Sequence, residues 1–516
     1  MATPNIEKKS FLDRFLNGLE VAGNKLPDPV TLFFILCVVI MIISHFVAAA
    51  GVSVIHPSTH KVVPAVSLIE TKNLQTILGK IVSNFQGFPP LGLVLAMMLG
   101  VGVAEKSGML EAAIKHSIYK IPGSLVTLGI IFFGICGNAA GDAAFIVLPP
   151  LAATIYYALG RHPLAGMFLA FGSVAAGFAA NVIVNMSDVL AASFTIPAAQ
   201  VVFPDYQSSP AMNFYFLLAS TFILTVVGYL VSVKIVEPRL GKFNPPPGMH
   251  IVDLSTSDTS PDEIKGLKWA GIWTLVYVAI IVALCIGDNA FLADPKTHSI
   301  LTYTSPFMQG IIPILLVLFF IPGLVYGIVS GSIKSDRDVV RMMGDSLSGM
   351  GGYIVLAFMG AQFLAFFAMS NLGIIIAVKG AEFLQNAGLV GIGIIICFIL
   401  LSGTVNLFIG SASAKWAIMA PVFVPMFMLI GYDPALTQMA YRIGDSITNP
   451  ISPLFPYFPI LIAYAQKYMP KCGIGTIVAN MMPYSIAFAI FWTILLIIFM
   501  VLNIPLGPNG AIYFQI

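Results

Sequence analysis

The residues with the most chemistry in them gather late in the chain, between Asn406 and Asn449. Ser411, Ser413, Lys415 and Trp416 stand close together there, followed by Pro434 and then by Arg442 and Asp445, three positions apart. Long apolar runs enclose them. Ionisable groups at membrane depth are costly, so they face a protein-lined or watery cavity and mark a pathway. Irregular backbone, signalled by Gly410, Gly431 and Asn449-Pro450, is tolerated there only where protein or a cavity satisfies it. Arg442 offers a planar fork suited to a carboxylate or a sulfonyl group, and Trp416 a face for an aromatic ring. Asn406 and Asp445 offer oxygens to a hard cation such as sodium. On a continuous helix Arg442 and Asp445 share a face, and they could equally neutralise each other.

An earlier stretch carries a related set. Asn138 and Asp142 flank a Gly-rich tip, Cys136-Gly-Asn-Ala-Ala-Gly-Asp142, and Asn181 closes Gly177-Phe-Ala-Ala-Asn181. With Ser411 and Ser413, these residues are candidates for substrate contact. Asp188, after Asn185-Met-Ser187, is either a cavity carboxylate or a solvated one at the end of a span.

The elements that must position these groups are membrane helices. The 516-residue chain is 58% hydrophobic and 9% charged, against about 25% charged in soluble domains. Its net charge of +2 says nothing about partners, and the absence of a basic tract or zinc spacing argues against nucleic acid. The five scattered cysteines form no Cys-x-x-Cys pair, so neither a disulfide framework nor a metal cage is expected. No Walker A sequence and no nucleophile paired with a base stands out, so ATP-driven transport and enzyme chemistry lack support, and no organic cofactor is expected. An intramembrane enzyme or a channel remains the alternative from another class.

Residues 1–29 read as a cytoplasmic segment with an amphipathic helix over 8–25, because the first apolar run, Val30 to Ala50, is long enough to span. Apolar arms around the tip at 136–142 and around 406–413 predict re-entrant hairpins over about 121–160 and 389–431. Sliding the chain by 271 residues lays Pro150, Gly160 and Pro163 onto Pro421, Gly431 and Pro434. This shared spacing divides the chain into a first repeat at 30–236, a linker, connecting span and external loop at 237–305, a second repeat at 306–503 and a tail at 504–516. Lys and Arg cluster in the leader and at 106–120, 234–268, 334–341 and 467–471, which assigns those segments to the cytoplasm. Residues 189–210 are then an external loop and the C-terminus is external, so the second repeat is inverted relative to the first. The predicted fold is an all-α polytopic membrane protein with about nine transmembrane helices and two re-entrant hairpins in an inverted repeat, an architecture of secondary transporters.

Several stretches together make the chain resemble the AbgT-type p-aminobenzoyl-glutamate transporter family. They are Asn84-Phe-Gln-Gly-Phe-Pro-Pro-Leu-Gly92, Gly141-Asp-Ala-Ala-Phe-Ile-Val-Leu-Pro-Pro150, Gly160-Arg-His-Pro-Leu-Ala-Gly166, Glu237-Pro-Arg-Leu-Gly241, Ser411 to Trp416, and Arg442-Ile-Gly-Asp-Ser446. The resemblance implies a bowl-shaped homodimer in a bacterial inner membrane. It also implies Trp416, Pro434 and Arg442 at the substrate, Asp188 as a functional carboxylate, and Asn406 with Asp445 near sodium. Two activities come with the family: uptake of the folate breakdown product p-aminobenzoyl-glutamate, and proton- or sodium-driven efflux of sulfonamide antimetabolites. A carrier of another organic anion would suit the same scaffold. Lys415 departs from the pattern, standing where an apolar residue is expected, and Ala412 stands where glycine is common.

Overall fold

The computed structural model describes residue 27 and residues 29–56, 60–119, 125–140, 143–243, 260–287, 290–302, 304–452 and 455–514. The expected leader helix over 8–25 and the tip residue Asp142 lie outside these. The first half comprises α1 (Pro29–Ala49), a short antiparallel ribbon of β1 (Ser53–Ile55) and β2 (Val62–Pro64), then α2 (Thr71–Gln86), α3 (Pro89–Lys106) and α4 (Met109–Tyr119). Hairpin arms α5 (Val126–Gly137) and α6 (Ala143–Ala158) follow, then α7 (Pro163–Ala176), α8 (Met186–Gln200) and α9 (Phe214–Val231), which continues through a π turn into α10 (Glu237–Leu240). The connecting helix is α11 (Pro261–Cys285).

The second half presents the same order. After the short α12 (Pro306–Gln309) come α13 (Ile311–Ser330), α14 (Asp336–Ser348), α15 (Gly351–Met369) and α16 (Leu372–Asn386). Then follow hairpin arms α17 (Ile392–Asn406) and α18 (Ala412–Leu429), α19 (Pro434–Thr448), α20 (Phe458–Tyr468) and α21 (Ile474–Val501). Eight helices among the described residues are long and apolar enough to cross a bilayer, and four more are apolar but shorter. Three of the four hairpin arms, α5, α6 and α17, are among the shorter helices, below the roughly 20 residues of a full crossing, while α18 is among the eight.

Matching punctuation ends each hairpin. Gly160 (φ +70°) and Gly431 (φ +91°) adopt the left-handed conformation that closes a helix at little cost to glycine. Two residues on, His162 and Asp433 cap α7 and α19, accepting hydrogen bonds from Leu164 N (3.2 Å) and Ala435 N (2.8 Å). Proline follows each cap at the first helical position, where its missing N–H costs nothing.

The two helices so begun form the centre of the molecule. Every residue of α7 from Pro163 to Ala176 is buried, as is every residue of α19 from Pro434 to Ile447. Small residues allow this close approach, as expected where lipid offers little drive for helix association. A Cβ on Gly444 would stand 2.3 Å from Ile399 O and 2.7 Å from Ser402 Cβ, so α19 lies directly against α17.

One boundary differs from the sequence-based expectation. Residues 189–210 are not all loop, because α8 runs to Gln200. Asn185 starts it with a capping box: its Oδ1 accepts from Ser187 N and Asp188 N, and Asp188 Oδ2 accepts from Asn185 N at 2.7 Å. Its lack of Lys and Arg, its small residues and Pro197 give it the look of a loop. The connecting helix begins at Pro261, under a second capping box between Ser260 and Glu263. Likewise the charged run at 334–341 opens into α14, capped by Ser335 and Asp338.

The tail folds back onto the start of α19. Phe514 N donates to Gly431 O (2.9 Å) and Asp433 N to Ile512 O (3.0 Å), while Phe514 packs on Phe203 with ring centroids 4.7 Å apart.

Candidate functional site

Four polar side chains occupy one face of α19. Gln438, Tyr441, Arg442 and Asp445 follow the i, i+3, i+4, i+7 spacing of a single helical stripe. Arg442 and Asp445 do not pair with each other. The Arg442 guanidinium reaches across the molecule to Asp188, with Nη1 2.5 Å from Oδ1. Its Nη2 donates to Ser187 Oγ (3.1 Å) and Ala179 O (3.4 Å). Asp188, held by the capping box of α8, is therefore a buried partner of Arg442 rather than a solvated carboxylate.

Asp445 pairs with Lys415, whose Nζ lies 2.5 Å from Asp445 Oδ1. The same Nζ donates to Asn406 Oδ1. The two N–H donors of Asn406 Nδ2 in turn face three acceptors, Asp445 O, Thr448 Oγ1 and Asn449 Oδ1, each 2.8 Å away. Asn406 and Asp445 are thus brought together as the sequence suggested, with the Lys415 ammonium between their side-chain oxygens. Those residues do not fit a sodium ion in this arrangement, because the space between the two oxygens is taken by the chain's own cation.

Trp416 stacks on Tyr441, with centroids 4.4 Å apart and planes inclined by 22°. Its Nε1–H donates to Thr195 Oγ1 (2.9 Å) and Ala191 O (3.1 Å) on α8. Thr195 donates to Gln438 Oε1 and Gln438 Nε2 to Asn213 Oδ1, both at 2.6 Å, so a buried polar chain ties α18, α8, α19 and the start of α9 together. Fully satisfied networks of this kind fix one arrangement of a core.

These groups surround a cavity of about 350 Å³ lined by Phe178, Ala179, Ser187, Leu190, Ala191, Phe194, Ser411, Ala412, Ser413, Trp416, Tyr441, Arg442, Asp445 and Tyr457. Its size falls in the range of small-molecule sites, about 300–1,000 Å³, and so does its make-up of apolar wall with a few convergent polar groups. Ser411 caps α18, its Oγ accepting from Ala414 N at 3.4 Å and lying 3.3 Å from Ser413 Oγ.

The remaining predicted residues stand apart from the lining. Pro434 opens α19, about two turns from Arg442. Asn181 sits in the break after α7, its Oδ1 accepting from Val182 N (2.8 Å) and Ile183 N (3.3 Å). Asn138 closes α5 and donates to Ile135 O and Val174 O, each at 3.1 Å. Sequence reasoning missed Tyr441, Gln438, Ser187 and the aromatic wall of Phe178, Phe194 and Tyr457. The stripe spacing on α19 was the available signal for the first two.

A cavity amid buried, interrupted helices, faced by an aromatic pair and by charged groups held in ion pairs, is what a multi-pass membrane transporter with a small-molecule substrate requires. The chain belongs to the AbgT putative transporter family, whose model matches residues 14–514. It is 35% identical over 509 residues to the p-aminobenzoyl-glutamate transport protein of Escherichia coli strain K12, covering 99% of each chain. Two solved structures align closely. The YdaH transporter of Alcanivorax borkumensis is 37% identical with a TM-score of 0.88, over 93% of this chain and 100% of that one. MtrF of Neisseria gonorrhoeae, described as illuminating a class of antimetabolite efflux pumps, is 42% identical with a TM-score of 0.89, over 96% of this chain and 100% of that one. The family and these relatives are transporters, not enzymes.

Proposed function

We propose that this protein is an ion-coupled secondary transporter of p-aminobenzoyl-glutamate or related aminobenzoyl compounds. The observation that carries the reading is the cavity itself, in which Arg442 and the stacked Trp416–Tyr441 pair face one space. An aminobenzoyl ring finds aromatic faces there, and its carboxylate finds a guanidinium whose charge is balanced by Asp188. Substrate carboxylate and Asp188 compete for one cation, which gives binding a means of changing how α8 and α19 hold each other. The matched order of elements in the two halves supports alternating access by inverted repeats that carry the hairpins, with the cytoplasmic N-terminus and external C-terminus that the lysine and arginine distribution indicates. A homodimer in a bacterial inner membrane, driven by a proton or sodium gradient, completes the proposal.

Uptake of radiolabelled p-aminobenzoyl-glutamate into proteoliposomes under an imposed ion gradient tests it. Wild-type protein accumulates substrate and Arg442→Ala does not; equal accumulation by the two removes Arg442 from the site. The likeness to MtrF favours a second reading, export of sulfonamide antimetabolites, whose ring and electron-withdrawing group suit the same cavity. Gradient-dependent loss of a sulfonamide loaded on the substrate side, without p-aminobenzoyl-glutamate uptake, would select it.

A further inference from the structure

The second hairpin tip is built like a cation site. Asn406 ends α17, where the unpaired carbonyls of a helix C-terminus favour positive charge. Across from it stands Asp445, a carboxylate buried to 2% exposure. An uncompensated carboxylate in such surroundings is unfavourable, so the site requires one positive charge within reach. Lys415 supplies it. Its side chain is fully buried, and its ammonium meets both Asn406 Oδ1 and Asp445 Oδ1.

Nothing local explains a lysine at that position. It lies in the first turn of α18, at the end of a helix dipole that disfavours a cation. It reaches no water, so it does not snorkel as long basic side chains near membrane surfaces usually do. What it does have is the complement of a bound metal ion: one positive charge set against two side-chain oxygens, Asn406 Oδ1 and Asp445 Oδ1.

We propose that Lys415 is a tethered cation, its ammonium holding the position between Asn406 and Asp445 that a sodium ion would otherwise occupy, so that this tip is assembled without sodium. Removing the amine leaves a carboxylate, an amide oxygen and a vacated space between them, and the site then takes up sodium from solution.

The proposal rests on the transport reading only for its consequence, sodium-independent uptake. The decisive measurement needs no substrate. The purified full-length protein is melted in detergent in sodium chloride and in choline chloride at equal ionic strength. Wild type melts at the same temperature in both. Lys415→Ala melts lower in choline and gains at least about 3 °C in sodium, the size expected for a ligand bound well above its Kd. Lys415→Ala/Asp445→Asn loses the sodium response. Wild-type stabilisation by sodium that disappears in Asp445→Asn overturns the proposal, as does a folded Lys415→Ala indifferent to the salt. Should Lys415→Ala not survive extraction in either salt, the wild-type chain decides: no sodium-selective shift supports the proposal and a clear one refutes it. If melting behaves as expected while p-aminobenzoyl-glutamate is not transported, the substrate reading fails and the tethered cation stands.

Discussion

The two hairpin tips share a framework and differ, among the described residues, in how their asparagines are partnered. In the first, Asn138 Nδ2 donates to Val174 O on α7; in the second, Asn406 Nδ2 donates to Asp445 O on α19. Val174 and Asp445 correspond under the slide of 271 residues that also aligns the glycines and prolines. Yet Val174 is an apolar core residue, while Asp445 carries a carboxylate answered by Lys415. Asn138 Oδ1 is buried without a hydrogen-bond partner among the described residues, whereas Asn406 Oδ1 receives the ammonium. The helix contacts are related in the same way. Gly134 on α5 faces Ser173 on α7, and Gly444 on α19 faces Ser402 on α17, with the small residue and the hydroxyl exchanged. The shared bond belongs to the framework, and among the described residues only the second tip carries an ion pair.

The largest effect expected from this difference is at Asp445. Asp445→Ala leaves Lys415 buried and unpaired, at a cost of about 3–5 kcal/mol, whereas Val174→Ala removes two methyl groups for about 1–3 kcal/mol. Thermal melts of the two variants side by side check this, and equal losses would erase the distinction between the tips. The glycine contacts come next. Gly444→Ala drives a methyl toward the Ile399 carbonyl of the backbone, which cannot rotate away, for about 1–3 kcal/mol. Gly134→Ala meets the Ser173 hydroxyl, a side-chain atom with more freedom to move, and is expected to cost less. A lower melting temperature for Gly134→Ala than for Gly444→Ala would reverse that order.

The effect confined to a pH window concerns the caps, where the two halves titrate in opposite senses. Burial raises the Asp433 carboxyl to about 7 and lowers the His162 imidazole below its usual value. A raised acid binds more protons in the folded than in the unfolded state, so Asp433 makes stability fall as pH climbs from about 4 towards 7. A lowered base does the reverse, so His162 makes stability fall as pH drops below about 6.5. Melting temperature against pH should therefore lose the decline between about pH 4 and 7 in Asp433→Asn and the decline below about pH 6.5 in His162→Asn, each asparagine keeping a capping oxygen. Unchanged profiles would show that neither cap titrates in this range.

What could be read beforehand follows from how local each signal is. Gly160, Gly431, Pro163 and Pro434 impose backbone geometry through their own covalent structure, so the hairpin ends and the starts of α7 and α19 were legible. Arg442, Asp445 and Trp416 stood out because apolar surroundings make such residues expensive. Partner choice was not legible. The sequence offers Arg442 and Asp445 to each other at helical spacing, but the fold assigns Arg442 to Asp188, 254 residues away, and Asp445 to Lys415. Helix α8 was hidden because its signal is a cap at Asn185 rather than a hydrophobic run. Lys415 could be noticed as out of place and not explained, since its reason lies on two other helices.

The tail clasp has a mechanical meaning. Residues 512–514 are bound by main-chain hydrogen bonds to the turn between α18 and α19, the junction of the second hairpin with the helix that bears Arg442 and Asp445. Any displacement of that junction during a transport cycle either drags the end of the chain along or tears it free. The tail is therefore a lever arm already attached to the working part: cargo fused there adds drag to the cycle, and a spectroscopic label placed there reads its stroke.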